Sequence, residues 1–294
     1  MLKQIKALIK TMRLLQWTKN FFVFAGLIFS QEFLQIGKFL ISFQTFWVFC
    51  LLASGTYIFN DLIDIKQDRM HPTKRFRPLP SGELPIGLAI LALVVFTTLG
   101  IIWGFNLDSG LGYIALFYVF LQVLYTLWLK HLVVIDLMVV ATGFLLRAAG
   151  GAVVINVVVS NWLLLCTSLL ALFMVTAKRR QELFRINKNN SKFSRSVLKR
   201  YNLSFLDQVL IILVASTLTS YSLYVFDPGT AEKFDTPYLG FTLPFVIYGL
   251  FRYLYLVKVS GKGESPERLV ISDFPFIINM VLWVLVVMFI IYFS

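Results

Sequence analysis

Residues 60–82 read NDLIDIKQDRMHPTKRFRPLPSG, a stretch with three aspartates and five cations in a chain that is 58% hydrophobic. Asn60, Asp64 and Asp68 are spaced four apart, so on a helix they share one face, with Asp61 beside them. That helix is the polar end of the apolar run from Phe39 to Phe59. A carboxylate-rich helix end at a membrane surface is costly unless a cation sits on it, and oxygen ligands of this kind suit Mg2+. Lys74, Arg75 and Arg77 follow within a few residues, where Pro72, Pro78 and Pro80 break any helix. Acids to hold Mg2+ beside bases to hold phosphate suit a diphosphate substrate. A solvated loop rich in positive charge would explain the bases but not the acid spacing.

Working outward, the composition is that of a membrane protein. Mean hydropathy is +0.79, and only 14% of residues are charged, which excludes an ordinary soluble domain. Apolar runs long enough to cross a bilayer are expected at about 21–37, 39–60, 85–104, 110–129, 132–155, 160–178, 204–226, 238–258 and 273–293. This predicts an all-α integral membrane protein of about nine transmembrane helices, with 1–294 as a single polytopic domain. Residues 1–16 read as an amphipathic helix on the membrane surface, with Leu2, Ile5, Leu8, Ile9, Met12 and Leu15 on one face and Lys3, Lys6, Lys10 and Arg13 elsewhere.

The bases fall on one side. The N-terminal segment, the 61–84 loop, Lys130, the 179–203 loop and Lys258, Lys262 and Arg268 share a face, against Lys38 and Lys233 on the other. The positive-inside rule then places the N-terminus and both loops in the cytoplasm, with the chain in the plasma membrane. A net charge of +12 confined to one membrane face points to anionic lipid and a phosphorylated substrate rather than nucleic acid. Cys50 and Cys166 lie inside predicted spans as packing residues.

Further candidates lie near the span ends. Asp136 and Arg147 are eleven residues apart, about three helical turns, so they share a face; Arg147 either pairs with a neighbouring helix or offers its guanidinium to a phosphate. Lys178, Arg179 and Arg180 point around a helix end, so at least one faces the bundle interior. Ser204 is the expected N-cap of the next helix, with Asp207 at its N3 position.

The pattern Asn60-Asp61-x-x-Asp64-x-x-x-Asp68, then Arg77-Pro78-Leu79 and Gly82, resembles the first signature of the UbiA-type membrane prenyltransferase superfamily. HPTKRFRP at 71–78, GFLLRAAGGA around Arg147, and KRRQEL at 178–183 are similar to one branch, the decaprenyl-phosphate phosphoribosyltransferases. QWTKN at 16–20, the YxxxLK element ending at Lys130, and Tyr201 through Gln208 extend the resemblance over nearly the whole chain.

What the resemblance implies is a helical bundle around a polar cavity and a Mg2+-dependent reaction. In it, a polyprenyl phosphate takes 5-phosphoribose from phosphoribosyl diphosphate, for cell-wall polysaccharide precursors. It implies catalytic Asp61, Asp64 and Asp68, with the metal on Asn60 and Asp64. Phosphoribosyl diphosphate would meet Lys19, Tyr57, Lys74, Lys130, Lys178, Arg179 and Arg180; the polyprenyl phosphate would meet Lys74, Lys130 and Arg147. Arg75, Arg77, Glu182, Tyr201 and Asp207 complete the candidate set. Lys19, Lys130 and Tyr57 also suit snorkelling or interface-belt roles, and helix capping accounts for Asp207. The superfamily's second aspartate pair is missing; only Glu182 and Asp207 stand in that region. That departure weighs against an aromatic prenyltransferase using a polyprenyl diphosphate, the alternative enzyme. A lipid-phosphate transporter is the non-enzymatic alternative, and no internal repeat supports it. A homo-oligomer stays open.

Overall fold

The computed structural model describes residues 2–188, 196–259 and 272–293. Its α-helices are α1 (Leu2–Met12), α2 (Phe24–Ile28), α3 (Ile36–Ile63), α4 (Ile65–Met70), α5 (Pro78–Ser81), α6 (Ile86–Leu107) and α7 (Ser109–Leu127). After them come α8 (Ile135–Val153), α9 (Asn161–Lys188), α10 (Leu203–Phe226), α11 (Pro228–Phe234), α12 (Leu243–Lys258) and α13 (Phe274–Phe293). Short 3-10 segments join them, the longest being Leu14–Val23. Among the described residues there is no strand, and eight segments are long and apolar enough to cross a membrane. This is a multi-pass membrane protein.

The chain divides into two compact units. The first holds residues 1–27, 35–139 and 146–158; the second holds 28–34, 140–145 and the chain from 159 onward.

In the first unit, α3 is the central rod. Its 28 residues rise roughly 42 Å. The expected first span, 21–37, is not one long helix: the 3-10 segment passes into five-residue α2 and then into turns. Yet Arg13 pairs with Asp61 at the C-terminal end of α3, while Gln35 stands at its N-terminus. The chain therefore passes from one end of α3 to the other between Arg13 and Gln35 without a long helix. The 3-10 segment lies hard against α8: a Cβ on Gly151 would stand 2.0 Å from the Val23 carbonyl oxygen, so only glycine fits there.

The Asp-rich end of α3 continues almost unbroken into α4. The Asp64 amide donates to the Asn60 carbonyl at 3.0 Å, and that of Asp68 to the Asp64 carbonyl at 2.8 Å. The spacing of four thus remains helical across the joint. Pro78 then opens α5 at its first turn, and Gly82, at φ 82°, closes it in the left-handed region glycine favours. α1 packs beside this segment: Ala7 joins Ile58, Leu79, Leu84, Ala89 and Ala92 in one apolar core.

The second unit is built on α9, α10, α12 and α13 around Phe173, Leu210, Tyr253, Leu256 and Phe276. α9 runs to Lys188, so the KRRQEL segment is helical. Residues 189–195 of the expected 179–203 loop lie outside the described residues, as do Lys262 and Arg268. The N-cap of α10 is Asn202, whose side chain accepts the Phe205 amide at 2.6 Å, and not Ser204 as expected. Asparagine caps as well as serine, and the helix simply starts earlier. Asp207 is thereby released from a capping role.

Candidate active site

The three aspartates of the first unit differ in how they are held. Asp61, 2% exposed, accepts from the guanidiniums of Arg13 and Arg77, the latter at 3.1 Å. Asp68, also buried, takes the same Arg77 Nη1 at 2.7 Å, with Lys74 Nζ 3.7 Å away. A carboxylate buried at a helix end needs such pairing, because removing it from water otherwise costs several kcal/mol. Asp64 is held by one flexible ammonium, Lys130 Nζ at 2.8 Å, and its side chain is 21% exposed. Three acids are thus met by four bases. Burial draws the Arg77 guanidinium below its ordinary value and Arg13 adds to this, while Asp61 and Asp68 oppose it. Arg77 remains a cation at any working pH.

The loop around these acids is held by side chains that donate to its carbonyls. Lys10 Nζ donates to the Phe76 carbonyl at 3.4 Å, and Arg69 Nε to the Pro80 carbonyl at 3.3 Å. The guanidinium of Arg13 lies over the Tyr57 ring, 5.0 Å from its centroid, and Arg75 lies over Phe76 at 4.8 Å. Asn60 and Lys19 are both partly buried. Among the described residues, no three His, Cys, Asp or Glu side chains converge as a metal cage.

Arg147 lies deeper in this unit. It is 4% exposed, donates to Asn20 Oδ1 at 2.6 Å and to the Tyr118 hydroxyl at 2.9 Å, and rests against the Phe49 and Tyr118 rings. It therefore ties the 3-10 segment to α7 and α8. Asp136 is fully buried at the start of α8.

In the second unit, Asp207 accepts from Arg180 Nε and Lys258 Nζ, each at 3.1 Å. Arg180 Nη1 also donates to the Val257 carbonyl at 3.1 Å, as does the Gln181 side chain. Arg179 is buried and bound to Glu182 at 2.9 Å. Arg180 and Gln181 thus fasten the end of α12 to α9. Lys178 is the partly exposed member of the basic trio, and Tyr201 is buried against the Phe205 ring.

The structure brings Asp61, Asp64, Asp68, Lys74, Arg77 and Lys130 together, and adds Arg13. As a residue, Arg13 offered no signal beyond its charge, since its partner lies 48 positions away. Asn20 and Tyr118 were equally invisible as the partners of Arg147.

Residues 20–283 match the UbiA prenyltransferase family. The chain belongs to that family. A decaprenyl-phosphate phosphoribosyltransferase of Corynebacterium glutamicum is 33% identical to it over 97% of this chain and 86% of its own. One of Mycolicibacterium smegmatis is 32% identical over 99% and 94%. Among solved structures, a UbiA homolog from Archaeoglobus fulgidus bound to GPP and Mg2+ superposes with a TM-score of 0.71 at 16% identity, covering 98% of this chain and all of that one. The apo UbiA homolog from Aeropyrum pernix gives 0.68 at 12% identity, over 92% and 96%. The fold is therefore the UbiA fold.

Proposed function

We propose that this protein is a membrane phosphoribosyltransferase that moves 5-phosphoribose from phosphoribosyl diphosphate to a polyprenyl phosphate of the decaprenyl type. The observation that carries the reading is the end-to-end similarity to relatives bearing that activity in their names. The acid cluster is consistent with it. So is the second unit, where Asp207 and Glu182 are bound by arginines rather than left to form a second carboxylate pair.

The donor set of the first unit fits Mg2+. Asn60 and Asp64 offer hard oxygens one turn apart, and Mg2+ typically takes one or two protein carboxylates with the rest from substrate phosphate and water. When bound, the metal would neutralise the diphosphate as it leaves. Asp61 and Asp68 would serve by holding Arg13, Arg77 and Lys74 in place. Lys130 would move from Asp64 to a phosphate oxygen, a small swing for a four-carbon stem.

In the reaction an oxygen of the lipid phosphate bonds to the anomeric carbon as the bond to diphosphate breaks, with inversion. The attacking oxygen is already anionic near neutral pH, so no strong base is required. Lys74 and Lys130 would share the phosphates of donor and acceptor, and Lys178 is our candidate for the 5-phosphate. Arg147 would act by holding Asn20, and through it the segment that carries Lys19. The Lys and Arg distribution supports a cytoplasmic N-terminus and acid cluster.

The test incubates membranes containing the protein with ribose-labelled phosphoribosyl diphosphate and polyprenyl phosphate. A labelled lipid, lost on chelation of Mg2+, is expected. No labelled lipid, with prenylation of an aromatic acid by a polyprenyl diphosphate instead, would overturn the reading.

A further inference from the structure

α1 is held by its narrow side. Ala7 and Thr11 are buried and Leu8 packs against the Ile58–Leu79–Leu84 core. The outward side is apolar: Leu2 is 75% exposed, Ile5 46% and Ile9 45%, all on one stripe. Lys3, Lys6 and Lys10 run along one flank of that stripe, all exposed, and the helix contains no acidic residue. An apolar stripe edged by lysines, on a protein that crosses the membrane, matches the bilayer interface. Acyl chains cover the stripe and anionic headgroups meet the ammoniums.

The far end of the same helix is joined to the acid cluster. Lys10 reaches the Phe76 carbonyl. Arg13, which follows α1 in the left-handed conformation at φ 56°, reaches Asp61. That conformation is uncommon outside glycine, so the ion pair and the seating of α1 depend on each other.

We propose that α1 is a docking surface for anionic phospholipid, and that the lipid-seated helix holds Arg13 on Asp61. Bilayer charge then sets the order of the segment carrying the acid cluster. The partner is the lipid surface and not a soluble phosphate, because the apolar stripe would be left in water by the latter.

The test uses the full chain in nanodiscs of phosphatidylcholine alone and with rising phosphatidylglycerol, read by amide hydrogen exchange. Amides of α1 are expected to slow at least about tenfold, since each lysine near an anionic surface contributes about fivefold. Amides 64–70 should slow in parallel, and salt should weaken both responses. Reversing two lysines, K3E with K6E, should abolish the response to lipid charge. R13Q should keep the response in α1 and lose it at 64–70. The proposal fails if wild-type α1 ignores lipid charge, or if inorganic phosphate in phosphatidylcholine discs protects it equally well. It also fails if 64–70 does not follow α1 in wild type, or still follows it in R13Q. The wild-type titration decides the matter alone should a variant not enter the discs.

Discussion

Asp64 stands apart from Asp61 and Asp68 in having a single, flexible partner and an exposed edge. Asp64→Ala or Asn60→Ala is therefore expected to lower turnover by more than about a hundredfold with little change in melting temperature, as for loss of a metal ligand. Asp61→Asn should behave in the opposite way, because Arg13 and Arg77 lose a buried counter-charge worth about 3 kcal/mol. Parallel activity and melting measurements on the three variants check this; equal melting losses would refute the division of roles. A similar contrast holds in the second unit. Lys178→Ala should raise KM for phosphoribosyl diphosphate about ten- to a hundredfold, the worth of one charge-assisted phosphate contact. Arg180→Ala should instead loosen α12, since Asp207 and the Val257 carbonyl lose a donor, and steady-state kinetics beside thermal melts separates the two. The basic trio was legible as a group, but the pairing of Arg179 with Glu182 and of Arg180 with Asp207 and Val257 was not. Contacts set by the tertiary fold leave no trace in local spacing.

At the scale of elements, the long apolar runs read directly as helices because length and hydropathy alone decide them. Expected 85–104 is Ile86–Leu107, and expected 204–226 is Leu203–Phe226. The run at 21–37 misleads for a physical reason. Its hydropathy is that of a span, but Gly151 of α8 presses on Val23 and the backbone there adopts 3-10 geometry. α1 shows a subtler departure: Leu8 belongs with the inward face of Ala7 and Thr11 and not with the exposed stripe. Gly151→Ala tests the contact, because the added methyl would meet the Val23 backbone and not a yielding side chain. Overpacking of this kind costs about 1–3 kcal/mol. The variant should melt lower by a corresponding margin, and an unchanged melt would show that the segment can retreat.

For the whole molecule, the bias of Lys and Arg toward one set of loops predicts a cytoplasmic acid cluster. A cysteine at exposed Thr73, on a background lacking Cys50 and Cys166, should be protected from an impermeant reagent in intact cells and react once they are opened. Labelling from outside would invert the topology. The irregular backbone of residues 14–23 has a consequence for how the protein is made. Backbone polar groups outside a regular helix are tolerated at membrane depth only where other protein shelters them. Here Val23 lies against Gly151 and Gly26 against Ala152, partners translated more than a hundred residues later. The insertion machinery thus meets its first self-sufficient span at α3, and the segment before it has to wait at the interface until α8 arrives. A nascent chain arrested before α8 should leave a cysteine at Val23 open to aqueous thiol reagents, and the completed chain should close it. The order of assembly would then run against the order of synthesis, with the earliest stretch of the protein among the last to settle.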